Sequence, residues 1–400
     1  MISQKDFIEI LVFPDVDPSE VQEGFLLDYL TCYAIQNTRY LVERNRIPRA
    51  GSLHVLWEYA QSETLHPLFV KLVCVAPITF LHILTEIEEH PIFFNDSKNP
   101  QTPVENQLAV ALFRLGRHGN AVCLDDVAFL AGMGHGTVVL FTNRVITALL
   151  DLHSKYIRRL TNEERARERD WVVKRAGCPE FAPGIYQYDG STLPLWQKPG
   201  LNGNAYWSRH CNYELNIQIG CIGSNLRITD YSAGCTGSAH DALAFRSTAA
   251  YQYPNYIFQG DEFAWTDSAY TVSYRTIPVH KAPANLDPWV RAFDKAVSRL
   301  RARSEHCNGL LKGRWQSLRG LRISINRRRD HLAAMRWVSA CIVLHNIGVE
   351  QQEHDWDMAE PPRPDNNQEQ AGGEQNIEQD AGARRRSLVE HYRRFRTGEN

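Results

Sequence analysis

Residues 213–234, YELNIQIGCIGSNLRITDYSAG, limit the fold more than any other stretch of this chain. They alternate as strands do, and Gly223-Ser224-Asn225 in their middle supplies hairpin-turn chemistry. GIYQYDG (184–190) alternates in the same way, and NYIFQGDEFAWTDSAY (255–270) reads as a further strand-like segment. Amphipathic helices surround these strands. PITFLHILTEIEEHPIF (77–93) sets Phe80, Leu81, Leu84 and Ile87 at helical spacing between Pro77 and Pro91, and HLAAMRWVSACIVLHNIG (331–348) reads as a core-facing helix that closes the fold. Strands first, with helices between and after them, predict an α/β domain.

Upstream of the strands the pattern is helical throughout. Leu124, Val127, Ala128 and Ala131 share one face, Gly132-Met133-Gly134 makes a turn, and a second helix from Thr137 carries Val138, Phe141, Val145 and Leu149. That is helix-turn-helix spacing, although helical hairpins outside DNA-binding proteins share it. The second helix offers little beyond Asn143 and Arg144 to reach bases or phosphates. Residues 153–182 are charged, helix-favouring and link-like, and residues 351–383 hold almost nothing to bury, which predicts disorder. Arg384–Arg386 and SLVEHYRRFR predict a short basic helix at the end, its arginines being either a nuclear-import signal or a solvated charge patch.

The net charge of −2 hides a segregation. Residues 1–107 carry 7 basic and 15 acidic side chains, residues 108–350 carry 30 and 20, and residues 351–400 carry 7 and 11. The central block is the part suited to a polyanion. Nine scattered cysteines, without metal-ligand spacing, point to a reducing compartment and away from a structural zinc site. The N-terminus, with Lys5, Asp6 and Glu9, does not read as an export signal, and Leu68–Leu84 is too interrupted to read as a membrane span.

One carboxylate stands out within the basic block. Between Arg299 and Arg329 there are ten Lys or Arg and a single acid, Glu305. On a surface meant for DNA, such an acid is repelled unless it holds a divalent cation, the plainer alternative being an Arg–Glu pair on a solvated helix. Two further acids follow strand-like segments, Asp189 in YQYDGS and Asp267 in WTDSAY. Were all three to converge, they would form an oxygen site for Mg²⁺ or Mn²⁺ able to activate water or a 3′-hydroxyl toward a phosphodiester. Acids at strand ends are also common turn and cap residues.

The segments YQYDGS, YELNIQIG, GSAHDALAFRST, TDSAY, SEHCNGLLKGRW and ACIVLHNIG occur in the order seen in Harbinger/PIF-type DDE transposases and the nucleases derived from them, and the chain resembles that family over about residues 184–348. The resemblance implies a ribonuclease-H-like catalytic domain, a mixed sheet with flanking helices, preceded by an all-α helix-turn-helix-containing region. The expected segments are a helical lead-in at 1–105, a helix-turn-helix-like DNA-binding segment at 106–160, the catalytic domain at 161–350 and a disordered polar tail with a short basic end at 351–400. It also implies Asp189, Asp267 and Glu305 as a metal-binding catalytic triad, with Asp241 in support and His240 as a hydrogen-bonding turn residue. Lys312 and Arg314 match family positions that face phosphate, and Arg319, Arg322 and Arg144 complete the residues expected on DNA. Two departures stand out: Gly190 is followed by Ser191-Thr192 where the family has Thr-His, and Thr266 replaces the Gly before the second Asp. Gly260-Asp261 offers a rival alignment for that acid.

The activity implied is metal-dependent cutting of DNA, with transfer of the freed 3′-hydroxyl to target DNA in full transposition. Double-stranded DNA is the expected partner, together with a Myb-like accessory DNA-binding protein, with room for a homo-oligomer, no membrane, and a place in the nucleus. A domesticated, non-catalytic DNA-binding or protein-interaction module and a ribonuclease-H-like enzyme acting on RNA or hybrids remain the alternatives.

Overall fold

In the computed structural model, residues 18–37, 51–96, 98, 100–119, 123–353 and 379–398 are described. The chain divides into two units, residues 1–48 and 49–400. Among the described residues the first contributes helix α1 (Pro18–Asn37), in which Asn37 Nδ2 donates to the Tyr33 carbonyl at 2.8 Å.

The second unit opens with helices α2 (Leu53–Gln61), α3 (His66–Val73), α4 (Pro77–Ile87), α5 (Val104–Leu115), α6 (Leu124–Ala131) and α7 (His135–Asp151). Pro77 at the first position of α4 fits a site whose N–H has no helical partner. α6 and α7 meet at 91° across the turn at Gly132, whose φ of 63° is open to glycine at no steric cost. Next comes α8 (Asn162–Ala176), in the charged, helix-favouring and link-like stretch. Thr161 and Glu164 close a reciprocal capping box at its start. Although the helix is mostly polar, it is anchored: Val172 is buried in a cluster with Phe181 and Phe293, buried Arg165 pairs with Glu262, and Glu168 accepts from the Gly223 and Ser224 amides at 2.6 and 3.2 Å. Glu168 thus caps the hairpin turn, with burial pushing its carboxyl pKa up against those hydrogen bonds.

The sheet follows, with β1 (Tyr186–Pro194), β2 (Glu214–Ile222), β3 (Ile228–Thr236), β4 (Ala264–Thr266) and β5 (Thr276–Pro278) in the order β3-β2-β1-β4-β5. β1–β2 and β2–β3 are antiparallel, whereas β1–β4 and β4–β5 are parallel. β2 is buried along all nine residues. This mixed five-stranded sheet with many helices is compatible with the ribonuclease-H-like arrangement. Only three residues of the 255–270 segment form strand, because Pro254 starts a short helix, Pro254–Ile257, ahead of them.

Between β3 and β4 lies α9 (Asp241–Phe245), and after β5 come α10 (Pro288–Arg314) and α11 (Arg328–Glu350). α10 packs on β1 and β2, and α11 on β3 and α7. One hydrophobic cluster therefore runs from Leu56 and Leu112 through Leu149 and Ile217 to Leu344, crossing the boundaries expected at 105 and 160. Among the described residues α11 is the helix long and apolar enough to cross a membrane, as are two bent helix pairs if each counts as one span; 72% of its apolar window is buried inside the protein.

Of the polar tail, residues 354–378 lie outside the described ones. The basic end forms α12 (Gln379–Thr397), and it is not merely a solvated patch. Leu388 and Tyr392 are buried in a cluster with Phe181, Trp265 and Phe293. Arg384 lies over the rings of Phe263 and Tyr274 and donates to the Tyr274 carbonyl at 2.6 Å.

Candidate active site

Strand register brings two of the predicted acids together. β1 and β4 pair as Tyr186↔Ala264 and Gln187↔Trp265, an offset of 78 residues. Continued two residues further, that register sets Asp189 beside Asp267, which directly follows β4. Asp267 Oδ1 accepts from the Ala269 amide at 2.7 Å, a local turn that fixes its carboxylate and leads to Tyr270. The rival acid, Asp261, precedes β4 at the other end of the strand and faces Arg169 at 3.4 Å.

The third acid comes from α10, capped by Asp287 with Pro288 at its first position. Arg301, Glu305, Asn308 and Lys312 recur at spacings of four, three and four, which is one helical face. That face runs along β1. Arg301 Nη2 lies 3.6 Å from Asp189 Oδ1, Asn308 Nδ2 donates to Asp189 Oδ2 at 3.3 Å, and Lys312 Nζ donates to the Thr192 carbonyl at 2.7 Å. Glu305 stands between these anchors and is exposed.

Burial pushes the Asp189 carboxyl up to about 7; Arg301 opposes this, and the charges of Asp267, Glu305 and Asp241 add to it. The three other acids are thus near enough for their charges to act on Asp189. Asp241, at the start of α9, is drawn to the sheet because its Oδ1 accepts from Asn216 Nδ2 and Gln218 Nε2 of β2, each at 3.0 Å. Tyr270 donates its buried hydroxyl to Gln218 Oε1, linking the turn after Asp267 to the same network. Gly190 makes room for it: a Cβ there would lie 2.2 Å from Asp241 Oδ1.

The donor set is hard oxygen, the type Mg²⁺ and Mn²⁺ prefer. Asn308 Oδ1, beside Asp189, is buried and makes no hydrogen bond, so one further oxygen is available to a cation. Among the described residues, no group of three His, Cys, Asp or Glu side chains is drawn close enough to hold an ion as it stands.

The basic residues divide. Arg314 was expected to face phosphate, but it is 3% exposed and pairs with Glu353 at 2.9 Å, so it braces α10 to the end of α11. Lys312 is bound to β1, and burial lowers its ammonium to about 8. Arg144 donates to Gln101 Oε1 at 2.7 Å. Arg319 is exposed, and Arg322 lies 5.8 Å from the Trp196 ring centroid. His240 stands at the N-cap of α9, where its carbonyl accepts from the Leu243 and Ala244 amides at 2.9 Å and its side chain makes no capping bond. Arg301, Asn308 and Gln218 were not singled out from sequence; the i−4 and i+3 spacing of the first two from Glu305 was the signal available.

Residues 188–346 match the family model of the DDE superfamily endonucleases. The chain matches no curated protein and no solved structure. A match to this family suggests transposase or nuclease activity, with DNA as the substrate.

Proposed function

We propose that this protein is a Harbinger-type DDE transposase or derived nuclease that cuts DNA with Mg²⁺ or Mn²⁺, with Asp189, Asp267 and Glu305 as the ion-holding carboxylates. The observation that supports this most is the shared 78-residue offset that sets Asp189 beside Asp267, with the Glu305 face of α10 lying along the same strand. When bound, the metal would supply Lewis-acid activation of water and stabilise the leaving oxygen. The protein's part is to position. Asn308 orients Asp189 and adds a free oxygen, the Ala269 amide fixes Asp267, and Asp241 with Gln218 and Tyr270 keeps the strand ends in register. Glu305, exposed on its helix, can turn toward the two aspartates once a cation offsets their repulsion.

Arg301 supplies positive charge at Asp189. Strand transfer by a freed 3′-hydroxyl, a Myb-like partner for terminal recognition, DNA contact by the α6–α7 pair and action in the nucleus belong to the same reading. The limited recognition surface of α7, whose Arg144 is engaged by Gln101, suits a division of labour with such a partner.

Nicking of supercoiled plasmid with Mn²⁺ tests the reading, comparing wild type with Asp189→Asn and Glu305→Gln. Cutting should vanish in both variants while DNA affinity persists. Equal cutting by wild type and variants would leave a non-catalytic DNA-binding module as the better description.

A further inference from the structure

Two connections, residues 195–213 between β1 and β2 and residues 315–327 between α10 and α11, are laced into one surface. Leu321 N donates to the Pro194 carbonyl at 2.8 Å, Gly200 N to the Ile325 carbonyl at 2.9 Å and Gln197 Nε2 to Ser324 Oγ at 2.8 Å. The Tyr206 hydroxyl lies 2.8 Å from His331 Nδ1 at the start of α11. A surface anchored at so many points is preformed.

Its chemistry is one-sided. Residues 195–213 and 315–327 contain five Lys or Arg (198, 209, 319, 322, 327) and no acid, while Asp330 just beyond them is engaged by the Asn326 and Arg327 amides and lies beside Arg329. Trp196 and Trp207 are 50% and 46% exposed on it, with Arg322 at the first ring and Tyr213 edge-on to the second at 4.9 Å. Beside them Lys198, Gly200, Asn202 and Asn204 line an open cleft of about 430 Å³.

Backbone phosphates alone would call for the cations, not for two half-exposed indoles. Exposed rings among cations, next to a cleft with amide groups, match the needs of unpaired bases, whose faces stack while their phosphates follow the basic track. A paired duplex hides those faces. We propose that this surface binds a single-stranded DNA segment, with Trp196 and Trp207 stacking on its bases and Lys198 and the neighbouring arginines holding its phosphates. Seven residues of extended chain separate Asp189 from Trp196, about 23 Å at roughly 3.3 Å per residue. The bound segment would therefore lie several nucleotides from the phosphate cut at Asp189. This placement rests on the catalytic reading above, whereas the binding does not.

The test uses the full chain in EDTA, so cleavage cannot interfere. Fluorescence anisotropy is read with a labelled single strand of about 15 nucleotides, with the matching duplex, and with RNA of the same sequence. Trp196→Ala/Trp207→Ala should weaken single-strand binding on the order of tenfold or more and leave duplex binding unchanged. Trp196→Phe/Trp207→Phe should retain most of the affinity, since it keeps two stacking rings. The proposal is overturned if the alanine pair binds the single strand as wild type does, if duplex binding falls equally, or if RNA binds more tightly than DNA. Because no metal is present, inactive carboxylates would not alter this result, and loss of stacking would not by itself abolish nicking.

Discussion

Gly190→Ala is the sharpest probe of how the site is built. The new Cβ would lie 2.2 Å from Asp241 Oδ1, 2.7 Å from Asp241 Cγ and 2.8 Å from Gln218 Nε2. Asp241 cannot simply rotate away, because the same Oδ1 accepts from Asn216 and Gln218. Overpacking costs about 1–3 kcal/mol, and losing one hydrogen bond to a charged acceptor about 1.5–3 kcal/mol. Gly190→Ala should therefore destabilise the protein by roughly 2.5–6 kcal/mol. The assay is urea denaturation of wild type, Gly190→Ala, Asp241→Ala and the double variant. Removing the Asp241 carboxylate removes the nearest obstacle and leaves Gln218 Nε2 to shift, so in that background the alanine should cost much less. Should Gly190→Ala cost the same in both backgrounds, to within about 0.5 kcal/mol, the close approach of Asp241 to β1 is wrong.

Asp189 gives a pH prediction. With its carboxyl raised from 3.8 to about 7, the folded chain keeps a proton that the unfolded chain releases, so metal-free stability should fall as pH rises from about 4 to about 7 and level off above. Asp189→Asn should remove that slope in denaturation series, and Mn²⁺-dependent nicking by wild type should increase through the same window. Arg314→Ala, which empties a buried site and leaves half-buried Glu353 to the Ala76 amide, should cost about 3 kcal/mol without altering the salt dependence of DNA binding. Arg319→Ala should do the reverse, leaving the denaturation midpoint alone while lowering the slope of log affinity against log salt by about one. Tyr392→Ala, by unpacking α12 from Phe181, should lower stability by about 3–5 kcal/mol in a thermal melt; an unchanged melting point would mean that this helix does not hold to the body.

The parts of the fold that showed in the sequence are those governed by local pattern. β1 and the β2–β3 hairpin alternate and turn on glycine, and α4, α7 and α11 carry apolar stripes. What stayed hidden depends on distant partners. α8 has only a narrow apolar patch at Trp171, Val172 and Ala176 from which to infer packing, and an ion pair with Glu262 and a cap on the hairpin turn supply the rest of its anchoring. β4 is three residues long and follows a proline-started helix, so its segment resembled one longer strand. At the site, the carboxylates could be picked out by type and by family resemblance, but type does not tell a phosphate-facing arginine from one buried against Glu353. That distinction lies in the packing of α10 on α11.

α11 has a consequence of its own. Tyr231 of β3 donates to Ser339 Oγ at 2.8 Å, and Arg336 Nη2 donates to Thr147 Oγ1 of α7 at 2.6 Å, so one helix is bonded on both flanks. α7 and β3, which joins the strand bearing Asp189 through β2, are thus tied to the same helix. Were DNA held by α7, as proposed, it would meet Asp189 at a set number of base steps. The spacing between a bound sequence and its cut would then be a property of side-chain packing, changed by repacking α11 and not by lengthening a linker.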